Sequence, residues 1–246
     1  MKIIVPVKKV VDYNVIVRPT ADRKQVDLSN IKMGMNPFDE IALEEAIRLK
    51  ERGIAEKIIL ITIGNENCED ILRSGLAMGA DEANLIVSNE NYTPIQIANI
   101  LFEKLKSENA DLIIMGKQAI DDDCNQTGQM LASLANLPQA TFASKVEINE
   151  NKNQIIVTRE IDSGVQKVSM KVPALITVDL RLNEPRYISL PNIMRAKKKT
   201  IQKIPIEDLN LKLESDFEIL EIFDPEKREK GITVKDEATL IHELKH

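Results

Sequence analysis

The stretch that decides the fold reads Gly116-Lys117-Gln118-Ala119-Ile120-Asp121-Asp122-Asp123-Cys124-Asn125-Gln126-Thr127-Gly128-Gln129-Met130. A short apolar run, Leu112 to Met115, precedes it and is typical of a buried parallel strand. An amphipathic run, Met130 to Leu137, follows it and indicates a helix. The stretch is therefore predicted to be a strand-to-helix turn at the carboxyl end of a strand, where open α/β sheets bind their ligands.

The composition of this turn suits a nucleotide. Gly116 and Gly128 permit close backbone approach, and amide and hydroxyl side chains lie between them. The N–H groups at the start of the following helix favour a phosphate. The adjacent aspartates, Asp121 to Asp123, argue against a bare anion site, and we expect them to hold a ribose, cap the helix or balance a nearby cation. The alternative is a capped turn without a ligand, in which Asp123 or Asn125 is the N-cap.

Upstream of this turn, strand-like and helix-like segments alternate with short connections. The segment from Asn36 to Glu40 is a strong helix start, with Asn at the N-cap, Pro next and acids in the first turn. Lys8, Lys9, Asp12 and Tyr13 are candidate site residues because they follow the first strand. The predicted strands are 2–7, 57–63, 83–87 and 110–115, and the predicted helices are 36–52, 69–78 and 93–107. This alternation predicts a parallel sheet with helices on both faces.

Downstream of the turn, the pattern changes to alternating polar and apolar residues, which indicates β-hairpins. A small hairpin is also predicted near the amino terminus, at 14–18 and 25–28. The downstream hairpin strands are predicted at 145–148, 154–161 and 166–172, followed by a buried strand at 174–180, a short helix from 189 and a loop or short helix at 204–211. Residues 212–246 are highly charged and contain too little apolar surface for a core, so we expect an arm that docks elsewhere.

Composition excludes several functional classes. The 246 residues carry a net charge of -6 and only 3% aromatic residues, which argues against nucleic-acid binding. The sequence has no GxGxxG and no P-loop motif. Cys68 and Cys124 lack CxxC spacing, and we expect ordinary structural cysteines in a reducing compartment. His242 and His246 lie four apart and are interpreted as a solvated helix end. With no signal-peptide pattern and no membrane span, we expect a cytoplasmic bacterial protein or an uncleaved organellar one.

An apolar group beside a basic run has two interpretations, which the sequence leaves open. One is a helix that packs its apolar side inward and solvates its lysines. The other is a docking element with a leucine anchor and basic residues that steer acidic partners. The residues of this group are Leu190, Pro191, Ile193, Met194, Arg195, Lys197 and Lys198.

Several of these stretches together resemble the electron transfer flavoprotein family, in particular its β subunits. The resemblance lies in Gly116 to Met130, Asn36 to Lys50, Val7 to Tyr13, Gly75 to Asp81 and Asp179 to Lys199, and it extends to about residue 200. It implies an α/β fold with a parallel-sheet, Rossmann-like adenine-nucleotide-binding domain over residues 1–200. Added β-hairpins and a C-terminal arm over residues 201–246, packed on the α subunit, complete the expected organisation.

The resemblance also implies cofactors and contacts. AMP is expected in this chain, as in the housekeeping branch, with FAD mostly in the α subunit and approached by Tyr13. Leu190 is expected to anchor the loop that docks on dehydrogenases. The implied AMP contacts are Pro6, Asn36, Pro37, Phe38, Asp39, Ile63, Asp121, Asp122, Asp123, Cys124, Asn125, Gln126, Thr127, Gly128, Gln129 and Met130.

The implied function is that of an electron carrier without acid–base chemistry of its own. The heterodimer is expected to accept electrons from acyl-CoA and other dehydrogenases and to pass them to a flavoprotein quinone oxidoreductase at the membrane. Two alternatives remain at this stage. One is the FAD-binding subunit of an electron-bifurcating flavoprotein, and the other is a stand-alone nucleotide-binding sensor of the universal-stress-protein type.

Overall fold

A computed structural model describes residues 1–214, 218–226 and 230–245 of the chain. Its helices are α1 (Pro37–Glu51), α2 (Glu69–Met78), α3 (Pro94–Leu105), α4 (Thr127–Leu134), α5 (Leu190–Ala196) and α6 (Glu237–Glu243). Its strands are β1 (Lys2–Pro6), β2 (Lys9–Val11), β3 (Arg18–Pro19), β4 (Val26–Asp27), β5 (Met33–Met35), β6 (Lys57–Gly64), β7 (Glu82–Val87), β8 (Leu112–Gly116), β9 (Gln139–Ile148), β10 (Gln154–Ile161), β11 (Gly164–Lys171), β12 (Ala174–Val178) and β13 (Gln202–Pro205).

Nine of these strands form one sheet in the order β11-β10-β9-β12-β8-β1-β6-β7-β13. All pairs from β9 to β13 along this order are parallel, whereas β10 pairs antiparallel with both β9 and β11. After β1 the chain builds β6 and β7 on one side of it, and then returns to place β8 on the other side. The strand order therefore reverses between β1 and β8, and a ligand crevice is expected at their carboxyl ends.

Two apolar clusters cover the two faces of the sheet. Side chains alternate along β1, so Ile3 and Val5 belong to the cluster that contains α1 and α2, while Ile4 belongs to the other cluster. That second cluster includes Ile100 of α3 and Leu131 of α4. The predicted α/β class, with helices on both faces of a mainly parallel sheet, is confirmed.

Three element boundaries differ from the predictions. The helix after the central stretch begins at Thr127 instead of Met130, and it ends at Leu134. Strand β9 begins at Gln139, six residues before the predicted hairpin strand. Its early part is difficult to recognise because Phe142 has a φ of 59° and the pairing with β12 shifts there, which interrupts the alternation.

The prediction of a loop or short helix at 204–211 is partly wrong. Residues 202–205 form β13, which pairs in parallel with β7 and extends the sheet by one strand. A 3₁₀ turn, Ile206–Leu209, follows it. Strand β13 is polar and ends in Pro205, which suits the edge of a sheet because no further strand requires the hydrogen bond that proline cannot donate.

Residues 16–29 and the described tail from 218 form a second compact unit. The predicted amino-terminal hairpin is present, but Pro19 lies in its first strand instead of its loop. The tail joins this hairpin: the Ile222 N–H donates to the Arg23 carbonyl at 2.8 Å, and the Arg23 guanidinium pairs with Glu221 at 2.8 Å. Asp236 caps α6, whereas His246 lies outside the described residues. Among the described helices, none is long and apolar enough to cross a membrane.

Candidate functional site

The carboxyl ends of β1 and β8 are joined by one buried carboxylate. Asp39, in the first turn of α1, accepts a hydrogen bond from the Lys8 N–H at 2.8 Å and another from the Gly116 N–H at 3.1 Å. Burial raises the pKa of Asp39 to about 7, against the opposing effect of these hydrogen bonds and of the Lys8 charge. Asp39 therefore fixes the two strand ends that border the crevice.

Asn36 occupies the predicted N-cap position of α1, but its side chain does not cap the helix. The Nδ2 group donates to the Gln118 carbonyl at 2.9 Å, and Oδ1 accepts from the Ile120 N–H at 3.3 Å. The residue is fully buried. Asn36 therefore holds the start of the central loop, residues 117–126, against α1.

The two glycines of the central stretch are required for packing between elements. A Cβ atom at Gly116 would lie 2.7 Å from the Phe38 Cβ and would also collide with the Asp39 carboxylate. A Cβ atom at Gly128 would lie 2.5 Å from Thr177 Cγ2 on β12. Both glycines thus allow a helix to approach a strand closely.

Two of the adjacent aspartates, Asp121 and Asp122, form ion pairs with Lys8. Its ammonium lies 2.8 Å from Asp121 and 2.9 Å from Asp122. Burial lowers the pKa of Lys8, but the hydrogen bonds and charges of the two carboxylates outweigh this and raise it above its ordinary value. The ion triad ties the central loop to the end of β1. Among the described residues, no group of three His, Cys, Asp or Glu side chains is placed to hold a metal ion.

Asp123 and Asn125 shape the loop without capping α4, so the alternative in which one of them is the N-cap is wrong. Both residues have left-handed backbones, with φ of 49° and 51°, a conformation that Asp and Asn tolerate better than most residues. The Asp123 side chain accepts from the Gln118 amide at 2.7 Å. The N-cap position is occupied by Gln126, whose side chain makes no capping hydrogen bond.

The amino terminus of α4 consequently has backbone N–H donors that lack a side-chain cap. Gln129 lies beside them, and its Nε2 group donates to the Asn125 carbonyl and to the Asn125 side chain, both at 3.0 Å. Its Oε1 atom is buried and has no hydrogen-bond partner among the described residues. A helix start with unpaired donors favours an anion, and the orphaned amide oxygen suits a ligand that also carries hydroxyl or amino groups.

The structure brings most of the predicted nucleotide residues to one end of the sheet. Pro6 ends β1, Ile63 lies near the end of the neighbouring β6, and α1 and α4 both begin at this edge. Thr127, Gln129 and Met130 lie in the first turn of α4 and are partly exposed. Tyr13 follows β2 and is 78% exposed, so it is available to a partner.

Cys124 differs from the expectation of an ordinary structural cysteine, because its side chain is exposed. Desolvation and the neighbouring Asp122 carboxylate raise the pKa of the Cys124 thiol, so the site disfavours the reactive thiolate.

An ion pair that was not predicted joins the ends of β8 and β12. The Lys117 ammonium lies 2.7 Å from Asp179, which follows β12, and it also lies 5.2 Å from the Phe38 ring centroid and 4.9 Å from that of Phe142. The signal was available, because Lys117 and Asp179 each directly follow a buried strand and parallel strands end at the same edge.

The apolar side of α5 is not packed inward, so that interpretation of the basic helix is wrong. Leu190 is 71% exposed and Met194 is 53% exposed, while Ala196 is the buried residue of the helix. Arg195, Lys197 and Lys198 are also exposed. The helix presents apolar and basic groups on one accessible segment.

Comparisons with known proteins identify relatives over the whole chain. A family model described as "Electron transfer flavoprotein domain" matches residues 25–209. The chain is 53% identical over 246 residues to "Electron transfer flavoprotein subunit beta, mitochondrial" of Arabidopsis thaliana, and covers 98% of it. It is 51% identical to "Electron transfer flavoprotein subunit beta" of Bradyrhizobium diazoefficiens, covering 98% of that protein. The Homo sapiens protein of the same printed name is 44% identical, with 97% covered.

Proposed function

This chain belongs to the β-subunit branch of the electron transfer flavoprotein family, and on that premise we propose that it binds AMP and docks partners. The AMP would be structural and would lie in the crevice between β1 and β8. The α subunit of the heterodimer would carry most of the FAD, and the flavin would supply the redox chemistry when bound. This chain would position, bind and select partners, with no catalytic residue of its own.

The observation that supports AMP binding most directly is the start of α4, whose backbone N–H donors have no side-chain cap. The N–H groups of Thr127 and Gly128 would bind the phosphate, and the buried Gln129 Oε1 atom would accept from a donor of the nucleotide. Pro6 and Ile63 would contact the ligand through backbone atoms at the strand ends. Asn36 and Asp39 would support the site without direct contact, because protein donors and acceptors already occupy their side chains.

The partners proposed for the heterodimer follow from the family. Acyl-CoA and other dehydrogenases would deliver electrons, and a flavoprotein quinone oxidoreductase would receive them. The exposed α5 would dock the dehydrogenase through Leu190, and Tyr13 would approach the flavin of the α subunit. The described tail supports packing on the α subunit, because Leu220, Phe223 and Ile232 are all largely exposed. The proposed location is the bacterial cytoplasm, or the mitochondrial matrix in a eukaryote.

The test is the nucleotide content of the assembled heterodimer, released by denaturation and quantified by chromatography and mass spectrometry. One AMP and one FAD per complex are expected. Thr127→Ala should lower the AMP content, while Thr200→Ala, at an exposed position outside the crevice, should leave it unchanged. Two FAD and no AMP would replace this proposal with the electron-bifurcating function, and AMP content unaffected by Thr127→Ala would refute the role of the α4 start.

A further inference from the structure

The chain that leads into α5 lies along α1 and is held there by side chains. From Asn183 to Ile188 it forms no backbone–backbone hydrogen bond with another described residue. Asn183 Nδ2 donates to the Ile41 carbonyl at 3.1 Å, and Arg48 donates to the Glu184 carbonyl at 2.9 Å. The course of this segment is therefore determined by contacts with the second and fourth turns of α1.

Arg186 makes the most extensive of these contacts. Its Nε donates to Glu44 at 2.8 Å, its Nη1 to Glu51 at 2.6 Å, and its Nη2 to both carboxylates at 3.1 Å. Glu44 and Glu51 lie seven residues apart, two turns along the same face of α1. The planar guanidinium is thus fixed in both position and direction by two bidentate pairs, one with each carboxylate.

The pairing of Arg186 with Glu44 and Glu51 is called the clamp, and the burial of Glu44 makes the clamp specific for Arg186. The Glu44 side chain is only 3% exposed, and a buried carboxylate without partners would be costly. Burial opposes its ionisation, but hydrogen bonds from Arg186 and Arg48 outweigh this and keep the pKa of Glu44 below its usual range. Arg186 is consequently required where it lies, and displacement of the segment would leave the Glu44 charge poorly compensated.

The far end of α5 is held separately. Arg73 of α2 donates to the Ala196 carbonyl at 3.0 Å and also to the Lys199 carbonyl. The Lys199 ammonium donates to the Ala80 carbonyl at 2.7 Å. Helix α5 is therefore fixed at its start by α1 and at its end by α2, while Leu190 between the two attachments remains exposed.

We propose that Arg186, clamped by Glu44 and Glu51, is a positioning residue that presents Leu190 to the dehydrogenase. This inference rests on the proposed docking function of α5. Only three residues lie between Arg186 and Leu190, so fixing the guanidinium restricts the path of the chain up to the anchor. A docking segment that is already ordered before the encounter loses less conformational entropy on binding.

The test compares Arg186→Lys with the unchanged chain in the assembled heterodimer. Lysine keeps the charge but cannot form the two bidentate pairs. Its Kd for an acyl-CoA dehydrogenase of the same host, measured by calorimetry, should rise about tenfold, which corresponds to about 1.4 kcal/mol. The KM for the heterodimer should rise in parallel while kcat and FAD content stay unchanged, and the melting temperature should fall because Glu44 loses part of its compensation. Arg159→Lys is the matched control, because Arg159 donates to Thr141 and Gln166, which lie outside both the segment and α1.

Glu51→Gln provides a second variant in case Arg186→Lys fails to assemble. The Glu51 carboxylate is 57% exposed, and the substitution removes its bidentate pair with Arg186 while Glu44 stays paired. We expect a Kd about threefold higher, which lies within the range for one charge-assisted contact at the surface. Leu190→Ala added to either variant should weaken binding by less than the product of the two separate factors, because the clamp acts through Leu190.

The outcomes separate the two proposals. If Leu190→Ala binds the dehydrogenase as tightly as the unchanged chain, the docking function of α5 is wrong. If Leu190→Ala weakens binding but both clamp variants bind normally, only the positioning role is overturned. The positioning role is also overturned if the Kd of a double variant rises by the full product of the two separate increases. It is overturned as well if the clamp variants lower kcat and FAD content instead of affinity.

Discussion

The backbone N–H of Gly116 donates a hydrogen bond to the buried Asp39 carboxylate at 3.1 Å. The same contact leaves no room for a side chain at position 116, because a Cβ atom there would lie 2.7 Å from Phe38 Cβ. The start of α1 and the end of β8 therefore form one unit with the end of β1. The residues that build the crevice are at the same time its structural support.

The first prediction concerns this close approach. Gly116→Ala should lower the free energy of unfolding by about 1–3 kcal/mol, because overpacking forces α1 away from β8. The same movement would lengthen the Asp39 hydrogen bonds and lower AMP retention. Urea unfolding of the heterodimer and its nucleotide content measure the two effects.

Gly34→Ala is the matched control for this substitution. A Cβ atom at Gly34 would have no neighbour within 4 Å, so the alanine should be tolerated. Equal stability of the two variants would show that the packing of α1 on β8 is looser than the structure indicates.

The second prediction follows from the burial of Asp39. Its folded-state pKa of about 7 lies above that of an unfolded aspartate, which is about 3.9. Between these values the folded chain binds more protons than the unfolded chain, so the Asp39 contribution to stability is lost as the pH rises. The slope from this residue should reach at most about 1.4 kcal/mol per pH unit. Melting temperatures between pH 5 and pH 8 provide the measurement.

Asp39→Asn should remove this slope, since an amide does not titrate, and should also lower stability at every pH. The loss arises because one of the two buried N–H donors would then face an NH₂ group. Asp12→Asn is the control, because hydrogen bonds from Lys32 and Asn14 lower the pKa of Asp12 to about 2, far from this window. A slope that persists in Asp39→Asn would assign the pH dependence to another group.

The third prediction concerns the ion triad at the central loop. Lys8→Gln leaves the Asp121 and Asp122 carboxylates without their cation, so the loop should open and AMP should be retained two- to fivefold less tightly. This factor corresponds to about 0.5–1 kcal/mol, as expected for a partly exposed ion pair. Equilibrium dialysis of the heterodimer against AMP measures the change.

The neighbouring Lys9 offers the control, because it pairs with Asp70 at 2.6 Å, away from the crevice. Lys9→Gln should therefore leave AMP affinity unchanged. The salt dependence gives a second check, since high ionic strength should weaken AMP binding in the unchanged chain more than in Lys8→Gln.

The fold could be predicted where one interaction dominates a segment. The buried strands and the starts of α1 and α3 are determined by local patterns, which the sequence displays directly as apolar runs and as Asn-Pro and Thr-Pro at the two helix starts. Strand β13 was missed because its polar residues and Pro205 satisfy only the weak requirements of a sheet edge. The early start of α4 was missed because its first turn, Thr127 to Gln129, is polar and contains a glycine, so the apolar periodicity begins only at Met130.

The position of the candidate site residues at one edge of the sheet could be predicted from the sequence, but the contacts among them could not. Asn36 was recognised as the N-cap residue of α1, yet its side chain holds Gln118, 82 residues away. Glu44 is similar, since its burial depends on Arg186, a residue 142 positions distant. Such pairings depend on the tertiary arrangement, and local periodicity contains no information about them.

The last prediction separates affinity from steering at α5. Leu190→Ala should raise the Kd for an acyl-CoA dehydrogenase about tenfold, chiefly through a faster off-rate, as expected for an exposed apolar anchor. Lys197→Gln combined with Lys198→Gln should instead slow association and reduce its salt dependence, because these charges act at long range. Stopped-flow binding at several ionic strengths distinguishes the two. Leu134→Ala, at a half-exposed position on α4, is the control, and an equal loss in that variant would mean that Leu190 has no special role.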